Sequence, residues 1–122
     1  MRRILLIVAL LLTLALPAAA VDFEYDWPQS NTDGTSLTDL GGARVYVCAQ
    51  SPCIRAQGTK TGPDISAPSA DPPAGAKAAF SLTGIQGFVA VTAFDIAGNE
   101  GPESNTVPFD GVSPGGGTLR KK

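Results

Sequence analysis

The sequence predicts an antiparallel all-β sandwich of about six strands. Three observations carry that reading. Large apolar residues alternate with polar ones at period two in several short segments, and Gly, Pro, Asn and Asp cluster between those segments. No stretch after residue 20 keeps a helical apolar period.

The first twenty residues set the compartment. Met1-Arg2-Arg3 is basic, Ile4 to Leu16 is apolar apart from Thr13, and Pro17 leads into Ala18-Ala19-Ala20. This order is that of a secretory signal peptide over residues 1–20, cut after Ala20. An uncleaved anchor is the other reading, but the apolar run falls short of the roughly 20 residues that a bilayer core needs. No membrane span is therefore expected after cleavage, and the protein is expected to be secreted, periplasmic or at the cell surface. No Cys follows the apolar run, so a lipoprotein has no site for its lipid.

Residues 21–109 read as one domain and residues 110–122 as a Gly-rich tail with a basic end. In the first strand Val21, Phe23, Tyr25 and Trp27 share one face, while Asp22, Glu24 and Asp26 share the other. Pro28 stops it, because proline cannot donate to a ladder. Gln29 to Asp39 is a polar loop. Gly41-Gly42 opens a second strand, with Ala43, Val45 and Val47 facing one way and Arg44, Tyr46 and Cys48 the other.

Gln50-Ser51-Pro52 then makes a turn, and Cys53 to Ala56 is expected to run back beside the second strand. That hairpin would set Cys48 against Cys53. They are the only two cysteines, and in an oxidising space an even count favours a disulfide. With no His in the chain, a lone Cys pair cannot close a zinc site. Gln57 to Lys77 is rich in Pro and Gly and reads as a long surface loop, with room for one short edge strand around Asp64-Ile65-Ser66. Phe80 and Leu82 mark another strand, and Gly84 to Gly87 a turn. Phe88 to Phe94 is the strongest strand of the chain. Asp95 to Pro102 is a dense turn with Asp95 as its cap, and Ser104 to Phe109 makes the last strand.

Two segments carry a family resemblance: Asp39-Leu40-Gly41-Gly42-Ala43-Arg44-Val45-Tyr46 and Val91-Thr92-Ala93-Phe94-Asp95-Ile96-Ala97-Gly98-Asn99-Glu100. They resemble the fibronectin type III family, in the form common in secreted bacterial proteins, at the start of its strand C and the end of its strand F. Ser104 to Val107 is similar to the start of strand G, and Trp27 stands where strand B carries its core Trp. The resemblance implies an immunoglobulin-like sandwich over residues 21–109, with C and F adjacent in one sheet. The sequence departs from the family in three ways. Nothing but the signal peptide precedes Val21, so strand A is missing. Gly87 replaces the corner Tyr, and Ala43 replaces the core Tyr of strand C. Each departure removes packing or hydrogen bonds.

Function classes narrow accordingly. The acidic excess, with three of the basic residues gathered at Arg120-Lys121-Lys122, disfavours nucleic acid and anionic lipid. With no His and the thiols paired, no nucleophilic centre is expected, so the chain reads as no enzyme and without cofactor. Gln29, Asn31 and Asp33-Gly34 match only part of a calcium loop, since Gln29 and Leu40 occupy its first and last ligand positions, and no metal is expected.

Tyr46, Phe88 and Phe94 fall on the outer face of the C–F sheet, either as an exposed contact surface or beneath Ile54, Val107 or the long loop. Val21, Phe23, Tyr25 and Trp27 lie on a strand with a free edge, where self-association or a partner strand is expected. The expected role is a binding or adhesion module with a protein or glycan ligand. The alternatives are a subunit of a cell-surface or phage assembly completed by a partner strand, and a carbohydrate-binding accessory.

Overall fold

The computed structural model describes residues 19–122. The predicted signal peptide therefore lies outside the described residues except for Ala19 and Ala20. The architecture is an antiparallel all-β sandwich. One sheet is the pair β1 (Ala20–Asp26) and β5 (Lys77–Thr83), in register from Ala20 opposite Thr83 to Asp26 opposite Lys77. The other holds β2 (Leu40–Cys48), β3 (Thr59–Lys60), β4 (Ile65–Ser66), β6 (Gln86–Asp95) and β7 (Val107–Asp110). Its order is β3-β2-β6-β7, with β4 also on β2.

The alternation read in the sequence sets which face is buried. In β1 the acids are exposed while Val21, Phe23 and Tyr25 turn inward, and Trp27 just beyond is buried. In β5 Ala78, Phe80 and Leu82 turn inward to meet them. Phe23 stacks on Phe80, its direct cross-strand neighbour, at 5.0 Å between centroids, and Phe109 of β7 closes edge-on against Phe23 at 5.7 Å. From the other sheet Ala43, Val45, Val89 and Val91 complete a core shared with Trp27, Leu37 and Leu40. Aromatic pairs at these separations add to what area burial alone provides.

Gly42 lies where a Cβ would run into the Ile65 carbonyl and the Phe94 ring, so its small size lets β2 pass between β4 and that ring. The long loop carries β4 where a short edge strand was expected, and β3 as well, which the sequence did not suggest. β7 is shorter than expected at its start, although Ser104 still donates to the Val91 carbonyl alongside β6.

One local expectation is corrected. Cys48 and Cys53 form a disulfide, but not across a hairpin. Residues Arg55–Gln57 coil into a short 3-10 turn, and the chain rejoins β2 only at Thr59, opposite Val47. Cys48 itself sits opposite Phe88 of β6. The bridge therefore folds the Ser51–Ile54 segment over the outer face of the sheet instead of joining two strands.

Candidate functional site

Two surfaces gather the residues that the sequence singled out. The first is the outer face of the large sheet. Arg44 and Tyr46 on β2 stand beside Thr92 on β6, and the chain returning after Asp95 brings Glu100 over all three. Thr92, which is fully buried, and Tyr46 each donate a hydroxyl hydrogen bond to Glu100 Oε2 at 2.6 Å, while Arg44 Nη1 pairs with Oε1 at 2.9 Å. Arg55 reaches Oε2 at 3.5 Å and donates to the Gly101 carbonyl. Burial alone would raise the Glu100 carboxyl, but the bonds from Thr92, Tyr46 and Arg44 and the Arg55 charge outweigh it and hold the pKa at about 2. Burial first, and then the bond to Glu100, push the Tyr46 phenol up.

Tyr46, Phe88 and Phe94 share this face, half-buried, and each has an internal partner. Tyr46 and Phe88 pack on the cluster of Cys48, Cys53 and Ala90, and Phe94 lies 4.2 Å beneath the Arg44 guanidinium. The cover comes from the segment around Cys53 and from Glu100 to Thr106, where the Thr106 hydroxyl accepts from the Cys53 N–H. Ile54 and Val107, the expected covers, are themselves exposed. Sequence reasoning missed Glu100 as the hub. The available signal was Arg44 and Tyr46 turned outward on one strand and Thr92 outward on another, three polar groups in want of a common acceptor.

The second surface is the free flank of the small sheet. The Trp27 N–H donates to the Ala76 carbonyl at 3.4 Å, continuing the β1–β5 register. Hydrogen-bonded pairs alternate along an antiparallel ladder, so Phe23 and Tyr25 also bond toward β5. The backbone groups of Asp22, Glu24 and Asp26 then point the other way. Among the described residues no strand pairs with that edge of β1. Between it and Ser104 to Val107 runs a groove of about 270 Å³, lined by the inward residues Phe23, Tyr25, Phe80, Val89 and Val91.

The facing edge of β7 is different. The Gly111 N–H donates to the Ile85 carbonyl, and by the same alternation the backbone of Pro108 faces outward, where it offers no N–H. On the outer face of the small sheet Lys77 approaches Asp26 at 3.1 Å and Glu24 at 3.7 Å, and Ser81 donates to Asp22.

The remaining polar motifs are turns. Asp33 accepts from the Thr35 backbone and hydroxyl, and Asp95 from the backbone and side chain of Asn99, which lowers both carboxyls. Among the described residues no group of three or more His, Cys, Asp or Glu is placed to hold a metal, and no helix is long and apolar enough to cross a membrane. No family model, no curated protein and no solved structure matches the chain.

Proposed function

We propose that the chain is a secreted, non-enzymatic binding module of the fibronectin type III kind, which takes an extended peptide along the free edge of β1. The observation that carries this reading is the row of outward backbone groups at Asp22, Glu24 and Asp26 beside a groove lined by both apolar and polar residues. An added strand gains main-chain hydrogen bonds from such an edge and specificity from the side chains beside it. The disulfide supports export, since thiols stay reduced in the cytosol. The sheet partition supports the family, because immunoglobulin-like sandwiches place strands B and E in one sheet and C, F and G in the other, as β1 and β5 are set apart from β2, β6 and β7. The outer aromatics already have internal partners, so the edge and not the rings carries the reading.

The test is selection from a display library of random linear peptides, followed by amide exchange. Bound peptides are expected to slow the Asp22, Glu24 and Asp26 amides. Glu24→Pro removes the central outward donor without touching the ladder to β5, and is expected to abolish binding while the circular dichroism spectrum is retained. If that variant unfolds, Glu24→Lys with its altered peptide preference serves in its place. Selected peptides that bind while all three amides keep exchanging fast would overturn the reading.

A further inference from the structure

The free edge of β1 also has a complementary strand within the same sequence. Residues 112–122 leave the body exposed, and Leu119 is fully so. Pro114 and three glycines separate the body from Thr118-Leu119-Arg120-Lys121-Lys122, which gathers three of the chain's basic side chains. The free edge of β1 carries Asp22, Glu24 and Asp26, with Lys77 as the one cation paired with them among the described residues.

We infer that the edge of β1 is the docking site for residues 118–122 of a second copy of this chain. The inference rests on the edge-binding reading above and names the occupant. Three observations select it. Edge-to-edge pairing of two β1 strands would oppose acidic rows, whereas the 118–122 segment opposes them with cations. The edge of β7 is blunted by Pro108, so a strand entering the flank finds its full set of partners on β1. Gly111 lies against the carbonyl of Leu82, which stands opposite Val21, so the tail leaves beside the start of β1. A chain's own tail turning onto β1 would have to run parallel to it, the weaker pairing, while the tail of another copy is free to run antiparallel. Leu119 then has the groove beside the edge within reach, while Arg120 and Lys122, on the opposite face of the docked strand, meet the acids.

Each copy offers one edge and one tail, so the contact closes by reciprocal exchange into a two-fold dimer where the rotation allows it and otherwise propagates into larger rings or open chains.

The experiment compares the exported protein with a variant ending at Gly117, by sedimentation velocity over a concentration series and by amide exchange. The full chain is expected to associate more as concentration rises, with the Asp22, Glu24 and Asp26 amides slowing in step, and the truncated chain to remain monomeric with those amides fast. Glu24→Lys is expected to weaken association about ten-fold or more, and Glu24→Lys mixed with Arg120→Glu to recover part of it. A synthetic peptide of residues 114–122 should compete. Association that survives truncation with the edge amides still slowing as concentration rises overturns the occupant and leaves the edge reading standing. Association that survives with those amides fast overturns the inference. Slow edge amides at every concentration in both proteins mean that the chain itself fills the edge and overturn both readings. Slowing that depends on the tail but not on concentration assigns the edge to the chain's own tail and overturns the second copy. Edge amides that stay fast in the full chain at all concentrations also overturn the inference, and if no selected peptide slows them either, the edge reading falls with it.

Discussion

The two sheets of the sandwich begin from the same period-two pattern and end in opposite conditions. On the large sheet the outward polar groups at its centre have found a partner: Arg44, Tyr46 and Thr92 converge on Glu100, and the disulfide folds a segment over Phe88. On the small sheet the outward acids of β1 remain in water, and its backbone edge has no neighbour among the described residues. The contrast comes from where the chain goes as it leaves each strand. After β6 a tight turn capped by Asp95 returns the chain directly over its own sheet, whereas β1 runs into a polar loop that leaves it. An outward polar residue therefore becomes part of the structure only where topology brings a second layer above it.

The sharpest way to break this contrast is Trp27→Ala. If inward aromatics are what hold the small sheet on, this change is expected to cost about 3–5 kcal/mol in a denaturant titration, as large aromatic deletions do in packed cores. A variant with an unchanged midpoint would mean that the two-stranded sheet is held by something else.

Next in size is Glu100→Gln, which keeps the shape and removes the charge under Arg44 and Arg55. The expected cost near neutral pH is about 2–4 kcal/mol, because Thr92 and Tyr46 also lose an anionic acceptor. The carboxyl has a folded pKa of about 2 against an ordinary value of 4.5, so it binds its proton more weakly when folded. Its stabilisation is therefore complete above about pH 4.5 and is lost as pH falls from there through about 2. Acid titration of both proteins should show their stability difference shrinking over that window, and a difference independent of pH would remove Glu100 from the centre of the network.

The disulfide closes a loop with a sequence separation of only 5, and its loss through Cys48→Ser with Cys53→Ser is expected to cost about 2 kcal/mol. Since the bridge covers Phe88 without joining strands, the double variant should keep its far-UV spectrum while near-UV aromatic signals change. The smallest effect is expected for Lys77→Ala on the small sheet, which should leave the melting midpoint within error, because solvated ion pairs add little. A clear drop would show that the acidic face of β1 is held together rather than merely wetted.

Much of the fold was legible because alternation reports burial directly: the inward sets of β1, β5 and β6 were readable residue by residue. The Cys48–Cys53 pairing followed from the count and the compartment. Its geometry did not, since Arg55–Gln57 coils where a returning strand was expected, and nothing in the apolar pattern of Cys53 to Ala56 separates the two. The two-residue β3 is set by where β2 needs a partner, a tertiary demand with no local signature. Glu100 read as the end of a turn, because its partners lie 54 and 56 residues away in sequence at Tyr46 and Arg44. The open edge shows in the pairing of β1 with β5 alone among the described residues, and the blunting of its neighbour by Pro108 needed the register of β7.

Gly111 shows how the body meets the rest of the chain. It is buried where a Cβ would press on the carbonyls of Ile85 and Leu82, and Leu82 stands opposite Val21 at the start of β1. Both exits therefore open at one pole, while the turns at Asp33 and Gly98 crown the other. Tension applied across the two exits would pull β1 and β7 apart from that pole, parting their hydrogen bonds one after another like a zipper instead of shearing a whole ladder at once. Such a body gives way readily when stretched in series.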